Sequence, residues 1–169
     1  MNQNETPHQA QTDHQDINND KFLIFKLSEE QFAIPLAMVR EVIGYKEPTP
    51  IPLAPNHHKG ILSLRDQIIP IVELRSKMKM SATKITSETS IIIIDFQGNN
   101  CGVIVDSILS VNSITVDNIA PAPEVHNQLN YKLIGIYKEN DKMTLILDIT
   151  SLFNINDLKV SPEKNTLVA

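Results

Sequence analysis

Residues 60–74, GILSLRDQIIPIVEL, lie over residues 135–149, GIYKENDKMTLILDI, without a gap at a spacing of 75 (135 minus 60). Gly60 falls on Gly135, Ile61 on Ile136, Asp66 on Asp141, Ile71 on Ile146, Val72 on Leu147, Glu73 on Asp148 and Leu74 on Ile149. Each stretch is a pair of apolar runs about a turn, the pattern of a β-hairpin. A second match sets AIPLAMVREV (33–42) over GVIVDSILSV (102–111) at a spacing of 69 (102 minus 33), with Ile34, Leu36, Val39 and Val42 on Val103, Val105, Ile108 and Val111. Two matches in one order mark a duplication into β units of about 70 residues, placed at about 22–80 and 90–155. Either unit alone would bury too little surface, so the two are expected to pack together on a joint core. Their hairpin turns differ: Lys138 to Lys142 are all polar, whereas the first turn carries Leu64-Arg65. That asymmetry offers Arg65 to something outside the fold.

The rest of the chain agrees with an all-β reading. KFLIFKL and SIIIIDF are β-branched or aromatic runs of strand length, and DFQGNNCGVIV reads as strand, Gly/Asn turn, strand. Prolines at 48, 50, 52 and 55 make EPTPIPLAP an extended connection. Two short helices are expected, around LAMVREVI (36–43) and ITSLF (149–153). Residues 1–20 hold one large aliphatic residue after Met1, Ile17, too little to offset the entropy of ordering, and are expected to be a disordered polar tail. Residues 159–169 are expected to be a flexible tail, which leaves 21–158 as the folded part.

Composition excludes several classes of function. A net charge of −5, with Lys and Arg scattered singly, provides no basic stripe for nucleic acid. The longest apolar stretches, such as Ile91 to Ile94, fall far short of the roughly 20 residues a membrane helix needs. The N-terminus lacks the basic and apolar regions of a signal peptide, so a cytoplasmic protein without membrane insertion is expected. The one cysteine, Cys101, has no internal disulfide partner and no nearby histidine, and reads as a small buried residue.

A search for catalytic chemistry finds no constellation. His57 and His58 point in opposite directions on an extended chain, with no cysteine or carboxylate at ligand spacing, so a solvated loop and no metal are expected. There is no P-loop, no dinucleotide fingerprint and no nucleophile elbow. Asp95, Asp106 and Asp148 each end an apolar strand, but SIIIIDFQGNNCGVIV returns directly as a strand, which a receiver domain's alternating topology forbids. The carboxylates read as strand-end groups in solvent or paired with Lys or Arg. No enzyme and no cofactor are expected.

Four pieces in order, FLIFKLSEEQFAIPLAMVREVIGY, GILSLRDQIIPIVELR, GVIVDSILSV and LIGIYKENDKMTLILDI, resemble the bacterial chemotaxis coupling protein family CheW over about residues 22–155. The resemblance implies an all-β fold with one or two short helices: two intertwined five-stranded SH3-like β-barrel subdomains sharing an apolar core. It implies a non-enzymatic adaptor between the cytoplasmic tips of methyl-accepting chemoreceptors and the regulatory domain of the histidine kinase CheA, in receptor arrays at the membrane. The family motif Asn-Leu-Arg-Gly is replaced here by Ser63-Leu64-Arg65-Asp66. By the same resemblance Val39, Gly60, Val105 and Ile108 belong to the receptor-binding side, and Glu41, Val42 and Arg65 to the kinase-binding side. Two readings of Arg65 stand together, docking a partner and pairing with Glu41 to order its own subdomain. For the apolar positions, groove wall and core packing remain alternatives. Competing readings are a coupling protein of a related non-flagellar motility or developmental system, a small enzyme, and a fragment resembling the coupling domain of CheV.

Overall fold

A computed structural model describes residues 21–124, 130–154 and 157–158, so both expected tails lie outside the described residues. Among the described residues eleven strands follow one another: β1 (Lys21–Leu27), β2 (Glu30–Pro35), β3 (Val39–Gly44), β4 (His58–Leu64), β5 (Gln67–Glu73), β6 (Ser90–Phe96), β7 (Asn99–Val105), β8 (Ser107–Ser113), β9 (Ile119–Ala120), β10 (Lys132–Glu139) and β11 (Lys142–Asp148). One helical turn, α1 (Leu74–Lys77), follows β5, and a 3-10 turn, Ile149–Leu152, follows β11 in the ITSLF stretch where a short helix was expected. The other expected helix is not formed. Only Leu36–Met38 makes a 3-10 turn, and Val39–Gly44 is strand, hydrogen-bonded antiparallel to β6. Three of its residues, Val39, Val42 and Ile43, are β-branched and lose little side-chain freedom in a sheet.

The strands form two sheets, ordered β8-β1-β2-β11-β10-β9 and β3-β6-β7-β5-β4. Exchanging β8 for β3, β1 for β6, β2 for β7, β11 for β5 and β10 for β4 turns the first order into the second, with β9 as a short addition. The hairpin β1–β2 thus lies in the sheet built by β8 to β11, and β6–β7 lies in the sheet built by β3 to β5. These are two intertwined SH3-like barrel subdomains, each made from both halves of the chain. The pairing repeats in detail: β2 runs parallel to β11 as β7 runs parallel to β5. Thr49, within the extended proline-rich connection, bridges to Ile61 as Ala120 pairs with Ile136.

Alternation along the central strands explains their continuous apolar runs, because both faces of these strands are buried. In β6, Ile91 and Ile93 join Ile69, Ile71 and Ile104 inside the five-stranded barrel, while Ile92 and Ile94 face the joint core. In β1, Phe22 and Ile24 line the other barrel with Ala33, Ile114 and Ile146, while Leu23, Phe25 and Leu27 face the joint core. Phe25 and Phe32 stack there at a centroid distance of 6.2 Å. Cys101 sits in the same core, fully buried, and burial pushes its thiol up to about 12.

Candidate functional site

The connection between β4 and β5 is two residues long, and both have left-handed backbones: Arg65 at φ 48° and Asp66 at φ 64°. Two positive-φ residues in a two-residue loop make a type I′ turn, whose twist matches its strands. Asp66 tolerates this conformation where most residues do not. The side chain of Arg65 is 84% exposed and uses one guanidinium nitrogen, donating to Glu41 Oε2 at 3.2 Å. The pairing with Glu41 is present in the geometry, and the arginine still presents most of its donors to solvent, where a partner could meet them.

Arg65 overhangs a shallow cleft of about 750 Å³ at the mouth of the five-stranded barrel, lined by Arg40, Glu41, Leu64, Ile68 and Leu158 among others. Ile68 is 57% exposed and gives the cleft its main apolar patch. Arg40 donates to Asp95 Oδ2 at 2.5 Å, and the backbone N–H of Gly98 donates to Asp95 Oδ1 at 2.8 Å. These contacts, the Gly98 N–H first, hold the Asp95 carboxyl below its usual range. With Arg40–Asp95 and Arg65–Glu41 paired, the cleft is nearly neutral, and a partner meets hydrogen-bond donors rather than a large field.

Alternation on β3 divides the expected kinase-side residues. Val39, Glu41 and Ile43 are half-buried, whereas Arg40, Val42 and Gly44 are exposed. Glu41 and Val42 thus face opposite sides of the strand, and only Glu41 meets Arg65.

The expected receptor-side residues separate further. Val39 and Ile108 occupy equivalent places, paired with Ile94 and Phe25, and both pack half-buried against the joint core. Val105 does not line an open groove. It is fully buried in the joint core and is a packing residue. Gly60 is also buried, and a Cβ there would lie 2.0 Å from the Thr49 carbonyl oxygen, so this position serves close backbone approach rather than contact with a partner.

Of the strand-end carboxylates, Asp95 pairs with Arg40, and Asp106 pairs with Arg75 and accepts the Ser28 N–H at 2.7 Å. Asp148 accepts from the Thr150 hydroxyl at 2.6 Å. His57 corrects the expectation of a solvated loop: its Nε2 lies 2.7 Å from Asp157 Oδ1, and only 23% of its side chain is exposed. Among the described residues no three His, Cys, Asp or Glu groups are placed to hold a metal, and no helix is long and apolar enough to cross a membrane.

Most of the cleft lining escaped the sequence reading, and three residues show why. Arg40 is an exposed position of an alternating strand. Ile68 falls on Met143 under the 75-residue spacing, and the two are 57% and 58% exposed, a pairing the aligned hairpins already contained. Leu158 had no signal in sequence, because its place depends on contacts with distant residues.

The fold and cleft define an interaction module, a double-barrel β protein that offers a shallow, partly apolar surface with unspent donors. The particular family follows from comparison: the CheW-like domain model matches residues 21–156, and the chain belongs to that family. A chemotaxis protein CheW of Klebsiella aerogenes is 32% identical over 139 residues, covering 82% of this chain and 84% of that protein. One of Helicobacter pylori is 29% identical over 135 residues, covering 78% and 80%. The crystal structure of the scaffolding protein TtCheW from Thermoanaerobacter tengcongensis superposes with a TM-score of 0.73 at 31% identity, covering 82% of this chain and 95% of that one.

Proposed function

We propose that the chain is a non-enzymatic adaptor of chemotaxis signal transduction that couples the cytoplasmic tips of chemoreceptors to the regulatory domain of the histidine kinase CheA. The observation that carries this reading is the exposed Arg65, held on a rigid two-residue turn with most of its donors unused. Family membership and likeness to a protein described as a scaffold support it. The kinase domain docks on the cleft through Arg65 and Glu41 and reaches over the edge strand β3 to the exposed Val42 on its other face, and charge-assisted, forked hydrogen bonds from the guanidinium fix its orientation. The receptor helices lay apolar side chains on the surface around Val39 and Ile108, the helix-in-groove mode, with Val105 supporting that surface from within the joint core. The protein acts in the cytoplasm, at receptor arrays.

Each contact is modest, on the order of micromolar or about −8 kcal/mol, and linkage of many receptors and kinases makes the assembly durable. The test is co-sedimentation with a receptor cytoplasmic fragment and CheA from the same organism. Wild type enters a ternary complex, and Arg65→Ala, folded by circular dichroism, drops out of it. Failure of the wild type to bind either partner overturns the reading.

A further inference from the structure

Asp157 is the most completely enclosed of the ion-paired groups at the C-terminal turn, with its side chain 4% exposed, and it gathers partners from three parts of the chain. Its Oδ1 lies 2.7 Å from His57 Nε2, ahead of β4, and its Oδ2 accepts from Lys77 Nζ, at the end of α1, at 2.8 Å. The same Oδ2 accepts the Asn154 N–H at 2.9 Å, while the Asp157 N–H reaches the Asn154 carbonyl oxygen at 3.0 Å. Lys77 is itself only 13% exposed. A carboxylate and an ammonium so enclosed compensate each other's lost hydration, and removing one strands the other without solvent.

Buried ion pairs are a poor route to stability compared with apolar packing, but they fix geometry well. Here the geometry fixed is that of the next residue. Leu158 packs its inner side on the joint core and lines the same cleft as Arg40, Arg65 and Ile68. The cleft is otherwise made by β3, the β4–β5 hairpin and the β6–β7 hairpin, so Leu158 is a wall from outside the barrel that carries the cleft.

We infer that His57, Lys77 and Asp157 position Leu158 as a wall of the Arg65 cleft, so that the C-terminal turn completes the surface a kinase domain meets. The inference rests on the adaptor reading above. Its claim is specific: Asp157 and Lys77 act through Leu158 and do not touch the partner.

The experiment uses the full chain, methyl-labelled at leucine, titrated with the regulatory domain of CheA from the same organism. Leu158→Ala, which leaves the ion pairs intact, stays folded with a thermal transition lowered only by the packing it gives up on the joint core, and weakens binding about tenfold. Asp157→Asn shifts or broadens the Leu158 methyl signals in the free chain and weakens binding to the same degree. Lys77→Arg, which keeps the cation, binds as wild type, and Lys77→Met behaves like Asp157→Asn. Leu158→Ala binding as tightly as wild type overturns the inference, as does an unmoved Leu158 methyl signal in Asp157→Asn. Arg65→Ala separates the two levels of the argument: if it loses binding while Leu158→Ala does not, the adaptor reading stands and the wall falls. If wild type itself does not bind, both fall, and the methyl signals still report whether the ion pairs hold the turn.

Discussion

Substituting Gly60 by alanine asks whether this glycine is a contact or a piece of backbone engineering. Its φ of +131° is a region that residues with a side chain rarely enter, and the added Cβ would stand 2.0 Å from the Thr49 carbonyl oxygen and 2.5 Å from its carbon. No rotamer relieves a clash with backbone, so Thr49 must leave β4. That breaks two hydrogen bonds, Thr49 N to Ile61 O and Ile61 N to Thr49 O, both 2.9 Å. Two lost backbone bonds cost about 1 kcal/mol each, and a forced unusual φ adds about 1–3 kcal/mol. The sum, about 3–5 kcal/mol, is a large part of the roughly 5–15 kcal/mol of a typical domain. Urea unfolding followed by circular dichroism reads it as a midpoint lowered by about 2 M. Gly44→Ala is the control, because a Cβ at Gly44 meets nothing within 4 Å, and its midpoint stays at the wild-type value. A Gly60→Ala protein with the wild-type midpoint and no partner binding would refute this reasoning and make Gly60 a contact residue.

The remaining predictions use the same division between core and surface. Val105, fully buried, loses about 2–3 kcal/mol on replacement by alanine, whereas Val42→Ala, at a 40% exposed site, keeps its stability in calorimetry and weakens kinase binding. Cys101, its thiol pushed up to about 12 by burial first and then by Asp157, resists Ellman's reagent in the native state and reacts only on unfolding. Burial and the neighbouring His57 lower the pKa of His58, so below about pH 6.5 the unfolded chain takes up a proton that the folded chain resists. Stability therefore falls as pH drops through that range, and His58→Gln flattens the slope. Burial is outweighed by hydrogen bonds and neighbouring cations, which lower the carboxyls of Glu73 and Asp157 from 4.5 and 3.8, so their stabilisation is full only above those unfolded values and is lost as pH falls through the lower folded ones. A melting temperature unchanged between pH 7 and pH 5 would contradict the His58 assignment.

The hairpins were legible because turn chemistry and apolar alternation are local, and the duplication showed each of them twice. The apolar runs of β1 and β6 also spoke plainly, since four consecutive isoleucines need burial on both faces. Strand exchange is different: which sheet receives β1–β2 depends on pairing between residues far apart in the chain, as for Phe25 with Ile108 at a separation of 83 (108 minus 25), and no window of sequence contains it. The misread helix at 36–43 has the same cause. Leu36, Val39 and Ile43 fit a helical stripe, and only hydrogen bonds from Ile91 to Ile94 make the segment a strand. Groove and core were inseparable at Val105 because both demand an apolar side chain. His57 with Asp157, 100 residues apart, joined only once the C-terminal turn had been placed.

Duplication also permits an inference that a single copy would not. Asn140 and Asp141 form the equivalent turn of the second hairpin, with φ 48° and 64°, the same angles as Arg65 and Asp66. One backbone therefore makes one demand on two sequences, and the second meets it with asparagine, among the residues that tolerate it best. Arginine in the left-handed region costs about 1–2 kcal/mol. Its visible return is one ion pair on an 84% exposed side chain, and such surface pairs contribute about 0.2–1 kcal/mol. The fold gains less from Arg65 than it loses, and an asparagine would serve the turn better. Strain held at an exposed position for so small a structural return is what the proposed docking role of Arg65 requires, and Arg65→Asn is expected to raise stability while it removes partner binding.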